Sequence, residues 1–290
     1  MEKSKELIYG LNDRPPLRET LFAALQHLLA IFVAIITPPL IISSALKFDL
    51  ETTGFLVSMS LFVSGLATFV QCRRFGPVGT GLLCIQGTSF SFISPIIGAG
   101  MLGVVGGKMD VGLGLSYIFG ACMVASVVEM VVSRLLPYTR KIITPLVSGI
   151  VVSLIGMCLI KAGITSCGGG QSAVDGGTFG SLQNLGLALL VLVSIIFFNR
   201  SSNRFLRMGS IVLGLLIGCV AAYALHLIDF SRISGAGNLN IPVPFKYGLH
   251  FDVGSIIGLG LIYLVTAVEA FGDITANSLI SGEPVEVPSS

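Results

Sequence analysis

Eight stretches of mostly apolar residues, separated by short polar or charged connections, set the first limit on what this chain folds into: Leu21–Leu46, Gly54–Val70, Val78–Val105, Val111–Leu136, Ile142–Ile160, Leu182–Phe198, Ile211–Ile228 and Ile256–Ala270. A transmembrane helix needs about 20 predominantly apolar residues, so the pattern predicts an all-α polytopic membrane protein of about eight spans. Only 11% of the 290 residues are charged and 53% are hydrophobic, against roughly 25% charged in a soluble domain. A net charge of +2 without a basic cluster speaks against a nucleic-acid partner, whose phosphates call for grouped lysines and arginines.

Basic residues in short loops prefer the cytoplasm. The N-terminal segment carries Lys3, Lys5, Arg14 and Arg18, and alternate loops carry Arg73 and Arg74, then Arg134, Arg140 and Lys141, then Arg200, Arg204 and Arg207. That places 12 of the 17 lysines and arginines on one side. The N-terminus is therefore expected in the cytoplasm and the longest loop, Asp229–Gly254, outside. Residues 1–19 lack the basic start and short apolar run of a cleavable signal. The six cysteines are scattered without C-x-x-C spacing and read as small apolar packers.

Two spans depart from a plain apolar helix. Pro38 and Pro39 lie inside the first, where each removes a backbone donor, and a local break is expected. The third combines Gly76, Pro77, Gly79, Gly81, Gly87, Pro95, Gly98 and Gly100 with the polar run Gln86-Gly87-Thr88-Ser89. Its freed backbone groups must be satisfied by protein or water, because hydrocarbon offers no partner. An unwound segment with a half-helix starting near Ser89 is predicted, of the kind that aims N–H groups at a substrate in transporters. Gly112, Gly114 and Gly120 fit close helix packing, and Gly168-Gly169-Gly170, lacking the lysine and hydroxyl of a P-loop, reads as a flexible turn.

Ionisable residues in the apolar stretches are His27, Glu129, His226 and Glu269, with Asp273 just beyond. An intramembrane carboxylate costs about 2.5–3.5 kcal/mol on insertion scales and marks a functional site by default. At a spacing of four, Glu269 and Asp273 share a helix face, and two close carboxylates resist ionising together. Glu269 is the deeper group and offers two oxygens to ligand N–H donors. Asp273 is expected in a more polar turn, exchanging a proton with the cytoplasm. The same residues also fit a plainer arrangement, with Asp273 ending the helix near water and Glu269 paired to a polar side chain elsewhere. His27 fits either the same cavity or an interhelical hydrogen bond. Glu129, followed by Arg134, suits a local pair at the interface, and His226 suits the outer boundary. No nucleophile–base pair or metal-ligand spacing stands out, so an enzyme is not expected.

Several motifs in order along the chain resemble the nucleobase–ascorbate transporter family, and within it the bacterial xanthine permeases. They are Asp13-Arg14-Pro15-Pro16, Gln26-His27-Leu28-Leu29, Gly76-Pro77-Val78-Gly79, Ile85-Gln86-Gly87-Thr88-Ser89-Phe90-Ser91-Phe92, Ile143-Thr144-Pro145-Leu146-Val147-Ser148-Gly149, Lys161-Ala162-Gly163-Ile164, Asn199-Arg200 and Glu269-Ala270-Phe271-Gly272-Asp273-Ile274-Thr275-Ala276. The resemblance implies two inverted seven-helix repeats, a core domain moving against a gate domain, and a short strand in the third span. It implies proton symport of a purine base, with no other cofactor. Glu269 would bind the base, Ser89 and Phe90 would line the site, His27 would tune affinity and Asp273 would couple the proton.

On this reading residues 1–20 form a cytoplasmic segment, 21–136 the core spans one to four, and 137–228 the gate spans five to seven. Residues 229–254 form a periplasmic loop, and 255–290 hold span eight and the C-terminus. Family members are longer, which predicts a truncated form holding the first repeat plus one helix. The expected location is the bacterial inner membrane. Expected partners are a purine nucleobase, the bilayer, a second copy in a homodimer, and a separate chain bearing the remaining spans. Xanthine is the expected substrate, with uracil, uric acid or a non-transporting membrane scaffold as the alternatives; an anion substrate would be disfavoured by Glu269.

Overall fold

The computed structural model describes residues 9–282 apart from residues 12, 74, 77, 140–149, 151, 152, 155, 158, 159, 161, 162, 204, 205, 208, 229–242, 244 and 245. Most of the fifth apolar stretch, much of the long loop, and Lys3, Lys5, Arg74, Arg140, Lys141, Lys161, Cys158, Arg204 and Arg232 therefore lie outside the described residues.

The first span is helix α1, Leu17–Ala45, and it runs without interruption through Pro38 and Pro39. The expected break does not occur, for a reason the register makes plain. A proline leaves the carbonyl four residues earlier without its helical donor, so Pro38 and Pro39 orphan Ala34 and Ile35. Those two carbonyl oxygens face the Thr88 hydroxyl, at 3.2 and 2.9 Å. A side chain distant in sequence thus supplies what the helix lost, and α1 keeps its geometry.

Helix α2, Leu50–Cys72, packs against α1. Asp49 caps it, accepting the Thr52 amide at 3.4 Å. The third stretch then breaks up as its glycines predict: none of the described residues between 73 and 89 is helical. A single 3₁₀ turn, Phe90–Phe92, leads into the short helix α3, Ile93–Gly100. The half-helix is therefore present where expected, with Ser89 as the residue preceding the turn. A second 3₁₀ turn, Met101–Gly103, opens a hairpin of β1, Val104–Val105, and β2, Lys108–Met109, with Gly106 and Gly107 both at positive φ in its turn. The third span does carry a short strand, β1 at its far end, whereas residues 79–89 pair with no strand and side chains engage their backbone instead.

Helix α4, Val111–Thr139, and helix α8, Val253–Ser281, form the central helix pair. Between them in sequence lie the short α5, Gly170–Asp175, and two apolar helices, α6, Leu182–Asn199, and α7, Ser210–Ala224, which pack on each other. At that contact Gly214 and Gly218 of α7 leave room for Ile195 and Val191 of α6, the small-residue device that brings spanning helices together. The two triple-glycine neighbours Gly168 and Gly169 do not form a loose turn. Gly168 is buried, and its carbonyl accepts the Asn184 amide side chain at 2.9 Å. The described cysteines are all unbridged, as their scatter suggests.

The core is small and sits around α3. Ile42, Leu46, Ile93, Ala99, Leu115 and Ile118 form one buried cluster, and Ala121, Ala125 and Leu259 a second between α4 and α8. Glycines set how closely these elements meet. A Cβ on Gly103 would strike the backbone of Gly114, and one on Gly120 would strike the His250 carbonyl. Many large apolar side chains of the described residues face outward: α6 has no buried residue, although it is long and apolar enough to cross a membrane. Four described helices meet that criterion and three shorter apolar helices accompany them. In water such surface would be untenable, and in lipid it is the expected exterior, which makes the chain a multi-pass membrane protein.

Residues 246–252 lie across one end of this group. Lys246 Nζ sits 5.2 Å from the Phe55 ring centroid and 5.4 Å from that of Tyr247. The His250 amide donates to the Ser116 carbonyl at 3.0 Å, and His250 Nδ1 lies 2.9 Å from Ser116 Oγ. Asp252 then starts α8 by accepting the Ser255 amide at 2.7 Å. That bond holds the Asp252 carboxyl below its ordinary range.

Two outcomes follow from these contacts. Gly120→Val should destabilise the protein by about 1–3 kcal/mol, the usual cost of overpacking, whereas Gly112→Ala, which meets only ordinary contacts, should be near neutral; thermal melting in detergent compares them. Because folding lowers the Asp252 pKa, its cap stabilises above the unfolded value of about 3.9 and is lost as pH falls through the folded value. Asp252→Ala should therefore remove part of the acid sensitivity of the melting midpoint, and an unchanged acid profile would contradict the cap.

Candidate functional site

The unwound segment between α2 and α3 is where backbone and side-chain chemistry converge. Gly79, at φ +84°, passes so close to α2 that a Cβ would collide with the Val70 and Arg73 carbonyls. The Gly81 amide donates to the Gln71 carbonyl at 3.1 Å, and Gln71 Nε2 donates to Thr80 Oγ1 at 2.8 Å. Further on, the Gln86 amide donates to Thr68 Oγ1 at 2.9 Å, while the Gln86 carbonyl accepts the Ser64 hydroxyl. Ser64 and Thr68 stand one turn apart on α2, and both hydroxyls meet Gln86.

The same segment is tied to two other helices. The Leu83 carbonyl accepts Asn277 Nδ2 of α8 at 2.9 Å, and Thr88 reaches α1 through the Ala34 and Ile35 carbonyls. Three helices thus hold one stretch of irregular backbone, the arrangement that lets such backbone exist at membrane depth.

The segment ends in a compact turn. Ser89 Oγ accepts the Ser91 amide at 3.3 Å, and the Ser89 carbonyl accepts the Phe92 amide at 3.4 Å. Two amides of the half-helix entrance are therefore used locally. The turn and α3 both pack against α8. The Phe92 ring meets the Tyr263 ring edge-on, with centroids 4.7 Å apart. Phe90 is half-buried against the cluster around Ile42 and Ile93.

Glu269 projects from α8, the helix against which this turn packs. It is half-buried, and its Oε2 is buried without a hydrogen-bond partner. Ser91 Oγ in the turn and Thr275 Oγ1 on α8 share that condition. Buried polar atoms are nearly always paired, since desolvating one without compensation costs about 1–3 kcal/mol. A carboxylate oxygen left so beside a broken helix is therefore the chemical feature of the site: it accepts N–H donors, and nothing in the described protein supplies them.

The residues singled out by sequence fall into two groups. Ser89 and Phe90 belong to the turn, and Glu269 to the helix that faces it. Asp273 is exposed one turn beyond Glu269, and it lies within α8 rather than in a polar turn after it, because the helix continues to Ser281. His27 is exposed on α1, well before the proline pair. Glu129 is half-buried on α4 and forms no ion pair with Arg134; it lies within electrostatic range of the Tyr263 phenol. His226 caps the end of α7 in a left-handed conformation, exposed. Among the described residues no three His, Cys, Asp or Glu side chains gather as a metal site. Sequence reasoning missed Phe92 and Tyr263, Asn277, and the Ser64–Thr68 pair; only the last, two hydroxyls at helical spacing in an apolar span, carried a visible signal.

Comparison with known proteins gives the family. The Xan_ur_permease model, described as a permease family, matches residues 18–289. Xanthine permease XanP of Escherichia coli is 47% identical over 287 residues, covering 99% of this chain and 62% of the relative. Xanthine permease XanQ of Escherichia coli is 44% identical over 281 residues, covering 97% and 60%. Uric acid permease PucJ of Bacillus subtilis is 32% identical over 266 residues, covering 90% and 57%. The chain thus spans about three fifths of the length of the curated relatives it matches. With a broken third span, a half-buried glutamate on the helix packed against it and a match along nearly its whole length, this chain belongs to the nucleobase–ascorbate transporter family.

Proposed function

We propose that the chain serves proton-coupled uptake of a purine base, xanthine before others, across the bacterial inner membrane, with its N-terminus in the cytoplasm. The observation that carries the reading is the buried, unpartnered Oε2 of Glu269 on the helix packed against the Ser89–Phe92 turn. An oxopurine presents ring N–H donors beside carbonyl acceptors and a flat face. A carboxylate takes the donors, hydroxyl and backbone groups near Ser89 take the acceptors, and an aromatic ring takes the face. The names of the relatives at 47% and 44% identity point to the same substrate.

Asp273 is the proton-exchanging partner in this reading. It stands one helical turn from Glu269 and is exposed, whereas Glu269 is half-buried. A proton held by the pair removes one of two like charges and favours loading; its release favours return. No metal or organic cofactor enters the scheme. A purine base, the bilayer, a second copy of the chain and a chain carrying further spans are the proposed partners, with no nucleic acid among them.

Binding of radiolabelled xanthine to the purified chain in detergent tests the site. Glu269→Gln should weaken it by about 10–100-fold, the loss of a charge-assisted hydrogen bond of about 1.5–3 kcal/mol, while insertion and melting temperature hold. Unchanged affinity in that variant would refute the assignment. Competition by uric acid and uracil orders the substrates, and stronger competition by uric acid than by xanthine itself would move the assignment toward the PucJ relative. For coupling, proton uptake on xanthine binding in weakly buffered solution should be lost in Asp273→Asn; persistence of that uptake would remove Asp273 from the mechanism.

A further inference from the structure

We propose that Thr88 is a positioning residue, whose hydroxyl ties the unwound segment to the proline-marked turn of α1 and thereby sets where the Ser89–Phe92 turn stands before Glu269. The inference rests on the purine-site reading above for its functional consequence, and on α1 for its structural one.

The register is the argument. Pro38 and Pro39 can orphan only the carbonyls of Ala34 and Ile35, and those are the two atoms that Thr88 Oγ1 contacts, at 3.2 and 2.9 Å. One hydroxyl hydrogen shared between two acceptors is a three-centre bond. Both prolines are buried, so water does not offer the obvious substitute. The segment comes close enough for this at Gly87, where a Cβ would lie 3.4 Å from Ile35 Cγ1.

Position along the chain gives the tie its leverage. The bonds from Gln71, Ser64, Thr68 and Asn277 all hold the segment at or before Gln86. Thr88 makes the last cross-link to another helix before Ser89 opens the half-helix. Without it, the turn would be held on its N-terminal side only by the Gln86 anchor two residues earlier, while α1 would carry two unsatisfied carbonyls in a low-dielectric setting. The prolines and the threonine are thus two halves of one device: the first create acceptors at fixed height on α1, and the second reads that height from the binding segment.

Thr88→Val keeps the shape and deletes the hydroxyl; Thr88→Ser keeps the hydroxyl. In the full chain in detergent, Thr88→Val should speed amide hydrogen exchange across residues 86–93 by about tenfold and weaken xanthine binding by a similar factor. Thr88→Ser should stay within about twofold of the parent in both. Replacing Pro38→Ala and Pro39→Ala returns helical N–H donors to the two carbonyls, so Thr88→Val should then cost less thermal stability than in the parent, a non-additive cycle. Should Thr88→Val fail to insert, that proline-replaced background must rescue it. Unchanged exchange in Thr88→Val, additive stability losses, or no rescue would each overturn the proposal. Faster exchange with no xanthine binding in the parent would instead leave the tie standing and refute the purine site.

Discussion

Irregular backbone at membrane depth has to find its hydrogen bonds inside the protein, and that constraint organises everything near the site. Residues 79–89 make few bonds among themselves, Cys84 N–H to the Leu82 carbonyl at 2.8 Å and Leu82 N–H to Thr80 Oγ1 at 3.3 Å, so α1, α2 and α8 each extend a polar side chain or a carbonyl to them. Ser64, Thr68, Thr88 and Asn277 are individually unremarkable residues in an apolar chain. Together they substitute for the helical ladder that the glycines of the third span forgo. The outcome is a half-helix entrance packed against the helix that carries Glu269.

The span pattern was legible because lipid selects on composition. Six of the eight apolar stretches correspond to helices or, for the third, to a broken helix whose entrance falls at Ser89 as its composition predicts; the first is helical as well but lacks the anticipated break, and the fifth lies largely outside the described residues. Two expectations failed for a common reason. Continuity of α1 through two prolines depends on a threonine fifty residues away in sequence, roughly, and no local rule carries that information. The run of α8 past Asp273 to Ser281 is likewise tertiary, since Asn277 is held by Leu83.

Within the site, residue type was readable and facing was not. Glu269 stood out by charge in an apolar stretch, and the half-helix by glycine, proline and polar composition. Which aromatic ring meets α8 was open on sequence: Phe90 and Phe92 are equally aromatic, and only packing separates them. Phe92 pairs with Tyr263, whereas Phe90 leans into the core cluster with Ile42 and Ile93. His27 shows the opposite limit, since a histidine in an apolar stretch invites a site role and the structure places it exposed on α1.

The clasp between His250 and α4 has a consequence of its own. Ser116 Oγ already donates its hydrogen to the Leu113 carbonyl at 2.7 Å, so toward the imidazole it can only accept. Nδ1 must therefore carry the hydrogen, which fixes one tautomer of the ring. Together with the His250 amide on the Ser116 carbonyl, this gives the segment leading into α8 two bonds to a single residue of α4. The start of α8 is thus pinned in height against α4, and neither can slide along the other without breaking both bonds.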